Sequence, residues 1–143
     1  MTNTKQRPFG VYILLVLVIF QGVSGLLGGI GLISDPTGES LHIPVKWLDN
    51  SPFSNYLIPG LILFIVLGFF PVVVFYGLLK KLRWSLFAAF IVGAALIIWI
   101  GVEIIIIGYH PQPPLQLIYG VVGFLIFVLV LLPSVRKFHK NIE

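Results

Sequence analysis

The chain has 143 residues, of which 58% are aliphatic, Met or aromatic and only 10% carry a formal charge, with a mean hydropathy of +1.06. A soluble domain carries about 25% charged residues, so there is too little polar material here to cover a water-facing surface. A membrane protein is expected, and the absence of cysteine removes disulfides, thiol catalysis, cysteine metal sites and palmitoylation together.

The first apolar run, 9–33, follows Lys5 and Arg7 as a secretory signal would. It is too long for one and lacks an Ala-x-Ala cleavage pattern, so it reads as an uncleaved span. Gln21, Ser24, Gly25 and Gly28 share one stripe of this helix. Gly22, Gly25, Gly28 and Gly29 allow another backbone to come close, Gly25 and Gly29 at the small-xxx-small spacing of packed membrane helices. Asp35-Pro36-Thr37-Gly38 then supplies turn chemistry.

The loop 34–56 is the one sizeable polar segment. It is expected to lie on the membrane surface, with a short helix through Trp47 and Leu48 after Pro44 and with Trp47 as an interface anchor. Ser51 and Pro52 offer a second helix start, and Pro59-Gly60 is expected to break or bend the beginning of the next span. That span, 57–79, contains Pro71, which removes the hydrogen bond to the Leu67 carbonyl and predicts a kink beside Gly68.

After Lys80, Lys81, Arg83 and the second interface anchor, Trp84, comes the run 85–107. It holds Glu103, the one formally charged residue inside any span, only about 6 Å from its end at 1.5 Å per residue. An intramembrane carboxylate is a functional-site hypothesis by default. Its bland alternative is a hydrogen bond to a neighbouring helix, and the candidate partners are Gln116, Tyr109 and Ser24 if spans one, three and four meet. The turn 108–114 ends in Pro113-Pro114, and the last run, 115–132, carries Gln116, Gly120 and Gly123 on one stripe before Pro133 closes it. His139 is expected to be solvated in a basic tail with Arg136, Lys137 and Lys140.

Strands of a membrane barrel would alternate apolar and polar residues, whereas ILLVLVIF (13–20), LILFIVLGFF (61–70) and LIFVLVLL (125–132) are apolar on every side. The reading is an all-α membrane protein, a single domain over 1–143 folded as a four-transmembrane-helix bundle. Eight of nine Lys and Arg residues fall on one side, with only Lys46 opposite, so both termini are expected in the cytoplasm. The net charge of +4 is then a matter of topology and of attraction to anionic headgroups, and no nucleic-acid partner is implied.

SPFSNYLIPGLILFIVLGFFPVVVFYGLL (51–79) and WSLFAAFIVGAALIIWIGVEIIIIGY (84–109), with the glycine-rich first span and the D-P-x-G loop, resemble a widespread group of small uncharacterised bacterial four-span integral membrane proteins. The resemblance implies the fold and a bacterial inner membrane, and it implies no activity. The small multidrug exporters also have four spans and an intramembrane Glu, but theirs is in the first span, where this chain has Gln21.

His42, His110, Asp35 and Glu103 are scattered over two loops and a span without ligand spacing, so no metal and no cofactor is expected. The functional expectation is a non-catalytic binding, accessory or scaffold module with an outward polar pocket around Glu103, Gln116, Gln21, Ser24 and Tyr109. Its partners would be the bilayer and another membrane protein, a lipid or a small ligand. The alternative is a small-solute or proton-coupled transporter using Glu103, with a membrane enzyme third because no acid/base pair or metal set is gathered in one place.

Overall fold

The computed structural model describes residues 7–49, 51–109 and 115–140, with Lys140 described by its backbone only. Lys5, His110 and the Pro113-Pro114 start of the last run lie outside the described residues. No strand occurs among the described residues. Helices α1 (Phe9–Ser34), α2 (Leu57–Leu79) and α3 (Ser85–Ile107) are each long and apolar enough to cross a membrane. Helix α4 (Leu115–Leu131) meets that test together with the short helix after it, α5 (Pro133–Lys140), across a bend of 64°.

Helix α1 packs against α2 and α4, and α3 packs against α2 and α4, so α1 and α3 are diagonal partners. Leu14, Val18, Leu67, Val74, Val92, Leu96 and Ile126 meet in the middle as one buried cluster. Between α3 and α4 the rings of Phe90 and Phe127 lie 5.0 Å apart, with Gly93 and Gly123 letting the backbones close in. Between α1 and α4, Phe20 stacks on Tyr119 at 5.7 Å. Gly120 faces only an ordinary contact, at 3.8 Å from Ile100.

The closest approach is between α1 and α2. A Cβ on Gly25 would run into the Leu67 carbonyl, one on Gly29 would sit 2.7 Å from Phe64 Cα, and one on Gly68 would sit 2.7 Å from the Leu26 nitrogen. Gly22 meets Val72 in the same row, while Gly28 lies beside Leu63. In lipid there is no hydrophobic force between helices, so stability comes from such contact and from interhelical hydrogen bonds.

Pro71 acts here as well. Instead of a simple kink, α2 widens into a π-turn over Ile65–Phe69, immediately before the proline. The Leu67 carbonyl has lost its usual i+4 donor to Pro71, and Gln21 replaces it: Gln21 Nε2 donates to that oxygen at 2.9 Å, with Gln21 only 2% exposed.

At the other proline positions the structure departs from expectation. Pro59 does not break α2, because it falls in the first helical turn, where its missing N–H is not required. Pro133 ends α4 but also starts α5, which turns across the end of the molecule. There Val135 is 1% exposed and faces Gly10 of α1, so α5 is docked. His139, expected in solvent, is buried: its Nε2 lies 2.9 Å from the Leu82 carbonyl and 3.2 Å from Ser85 Oγ. The eight residues of this tail give an amphipathic helix whose inner side carries Val135 and His139, a pattern too short to read beside four apolar runs.

Gln21→Leu should destabilise by about 1 kcal/mol, because it removes one interhelical bond and leaves the Leu67 oxygen unpaired. In a Pro71→Ala background, where residue 71 regains its N–H, the same change should cost measurably less. Gly25→Leu should lower the melting temperature in detergent far more than either, while Val16→Leu, on an exposed face, should stay within about 0.5 kcal/mol of wild type.

Candidate functional site

The loop between α1 and α2 is held by its own polar residues. Asp35 accepts hydrogen bonds from the Thr37 backbone N–H, the Thr37 hydroxyl and the Ser40 N–H. These bonds, the Thr37 hydroxyl first, hold its carboxyl below the ordinary carboxylate range. Gly38, at φ +79°, makes the turn after it and accepts the N–H bonds of Leu41 and Ile43 on its carbonyl. A 3₁₀ turn then covers Val45–Leu48, where the sequence predicts a short helix through Trp47 and Leu48. Ser51 does not cap a helix. Its hydroxyl donates to the Leu48 carbonyl and accepts the Phe53 N–H, which rounds off the loop instead.

Tyr56 fastens this loop to the helices. Its N–H donates to the Pro36 carbonyl at 2.8 Å and its hydroxyl to the Pro44 carbonyl at 2.8 Å, while the ring packs with Leu32 and Leu48 in a small second core. Burial first, and the negative charge of Glu103 second, push its phenol up to about 12. The Val45–Leu48 turn packs on α3, so the end of α3 that bears Glu103 stands beside the loop. Glu103 itself is half-buried.

Between the turn at Gly38 and the 3₁₀ turn lies an open cavity of about 490 Å³ lined by Thr37, Glu39, His42, Ile43, Pro44 and Val45. It combines a carboxylate, an imidazole and a hydroxyl with an aliphatic wall. His42 holds φ +59°, a left-handed conformation that costs a non-glycine residue about 1 kcal/mol and tends to collect at binding sites.

Two of the residues singled out from sequence, Gln21 and Ser24, lie on α1, away from α3. Gln21 lies at mid-helix on the Leu67 carbonyl, and Gln116 Nε2 donates to the Gly108 carbonyl at 3.1 Å, tying the start of α4 to the end of α3. Ser24 is half-buried on α1, across the diagonal from α3, and Tyr109 is exposed. The charge of Glu103 is felt by Tyr56, the residue before α2, which no helical spacing in the sequence connects to it. Of the four residues considered for a metal, Asp35 is engaged by Thr37 and Ser40, and His110 lies outside the described residues. Among the described residues no three His, Asp or Glu side chains converge. Trp47 is half-buried in the loop and Trp84 is exposed at the opposite end.

Comparison with known proteins adds no homologue: no family model matches the chain, and neither a curated protein nor a solved structure is significantly similar to it.

Because the phenol of Tyr56 is raised above the value of about 10 for an unfolded tyrosine, its contribution to stability is complete below pH ~10 and is lost as pH rises toward 12. Glu103→Gln removes the second of the two causes, so the Tyr56 titration should move down yet remain above 10. Spectrophotometric titration with Tyr56→Phe as the reference resolves this. An unmoved titration would mean that Glu103 and Tyr56 are not coupled.

Proposed function

We propose that this is a non-catalytic multi-pass protein of the bacterial inner membrane, with four spans and both termini in the cytoplasm, which presents the loop 34–56 outward as a binding or accessory module. The locked loop is the observation that carries the reading. Asp35, Gly38 and Tyr56 fix a polar segment over a concave surface, an arrangement suited to holding a small polar ligand or a protruding segment of a membrane partner. Glu103 fits it as a strut behind the loop, through Tyr56, more readily than as a carrier's proton site. A carrier needs polar groups along its pathway, and Leu14, Val18, Val74, Val92 and Ile126 fill the half of the core away from the loop. Arg7, Lys80, Lys81, Arg83, Arg136 and Lys137 at the end opposite the loop support the cytoplasmic placement of that end.

Cysteines placed singly at Thr2, Glu39 and Asn141 in intact cells should react with an impermeant label at position 39 alone, and labelling at 2 or 141 would reverse the topology. Binding is tested by purifying wild type and a Glu39→Gln/His42→Ala variant from native membrane. Lipids, small molecules and proteins retained by each are then identified by mass spectrometry. The expected result is a species retained by wild type and lost from the variant at equal melting temperature; identical sets would remove the loop as the binding surface. For the carrier alternative, Glu103→Gln should abolish a pH-dependent flux in proteoliposomes. In the strut reading it leaves fold and phenotype close to wild type.

A further inference from the structure

At the end opposite the loop, the cations have no carboxylate among the described residues to balance them, since Asp35, Glu39, Asp49 and Glu103 all lie at the loop end. Three of the cations are fixed by the fold. Arg7 Nη2 donates to the Leu79 carbonyl at 2.8 Å, at the negative end of α2, Lys80 stands over Tyr76 at 5.9 Å, and Lys81 stands over Phe138 at 4.0 Å. Helix α5 is fixed too, by Val135 against Gly10 and by His139 against Leu82 and Ser85, and this docking turns Arg136 and Lys137 outward, where both are exposed.

A second observation sets the depth of this surface. Tyr12 on α1, Tyr76 on α2 and Trp84 at the start of α3 are all exposed at this same end. Exposed Tyr and Trp rings at helix ends belong at the headgroup level, where an apolar ring with a polar edge fits best. Arg7, Lys80, Lys81 and Arg83, one to four residues beyond those helix ends, therefore stand among phosphates rather than out in water, and Arg136 and Lys137 follow the end of α4 by five and six residues at the same end of the molecule.

We infer that the basic end is an anionic-phospholipid site, in which Arg136 and Lys137 on the docked helix α5, with Arg83 of the α2–α3 turn, take phosphodiester headgroups of the adjoining leaflet. This rests on the chain lying in a bilayer and is independent of what the loop binds. Each cation near a charged leaflet adds its own attraction, and holding two of them on one short docked helix makes their positions a property of the fold.

The test uses the full chain in nanodiscs of phosphatidylcholine with and without phosphatidylglycerol. The readouts are lipid retention by native mass spectrometry and the melting temperature. Wild type should retain phosphatidylglycerol over phosphatidylcholine and melt higher in its presence. Arg136→Gln/Lys137→Gln should retain on the order of 10-fold less of it, at an unchanged melting temperature in phosphatidylcholine alone, while Lys46→Gln at the loop end should behave as wild type. His139→Ala, which loosens α5 without altering a charged group, should weaken retention part of the way. Equal retention by wild type and the double variant would overturn the site. So would equal protection by inorganic phosphate in neutral discs, or preferential binding of soluble polyglutamate, which would assign the surface to free anions or to an acidic protein. Failure of the chain to enter nanodiscs at all would instead remove the membrane reading beneath it.

Discussion

The arrangement depends on one contact in the middle of the molecule, where Gly25 of α1 lies on the backbone of Leu67 and Gly68 in α2. Pro71 deprives the Leu67 carbonyl of its usual donor, and a buried carbonyl left unsatisfied costs about 1–3 kcal/mol. The glycine row allows α1 to come close enough for the Gln21 amide to reach that oxygen. Proline, π-turn, glycines and glutamine are thus parts of one solution: the helix is widened at Ile65–Phe69, and the polar group this leaves is satisfied by the neighbour that the glycines admit.

Once α1 and α2 are joined in this way, their loop-end termini are held together and the segment between them must close over a short distance. It does so with local polar bonds from Asp35, Gly38 and Ser51, and with Tyr56, which ties both limbs of the loop to the start of α2. The end of α3 that bears Glu103 lies in the same region, where the Val45–Leu48 turn packs on that helix. A buried phenol beside a carboxylate resists ionisation, so this corner stays hydrogen-bonded across the ordinary pH range.

The two ends of the molecule are built on different physics. At the loop end, Asp35, Thr37, Ser51 and Tyr56 are satisfied within the chain and leave a concave surface of mixed polarity. At the opposite end, a short amphipathic helix is pinned by one valine and one histidine, and its Arg136 and Lys137 are turned toward the surroundings.

Sequence alone determined the helical class, the limits of the apolar runs and the separation of basic residues from the acidic loop. These follow from composition and from runs of one-dimensional hydropathy, which need no knowledge of neighbours. It also showed that Pro71 would orphan the Leu67 carbonyl and that Gly25 and Gly29 could admit a backbone. Only the tertiary structure decided what answers them. Gln21 and Leu67 are 46 residues apart, Tyr56 and Glu103 belong to elements joined through α2, and His139 is 57 residues from the Leu82 carbonyl it contacts. In chains apolar all round, hydropathy carries no phase to say which face meets which helix. Partner choice is therefore left to close packing and to the few hydrogen bonds that a medium without water makes obligatory.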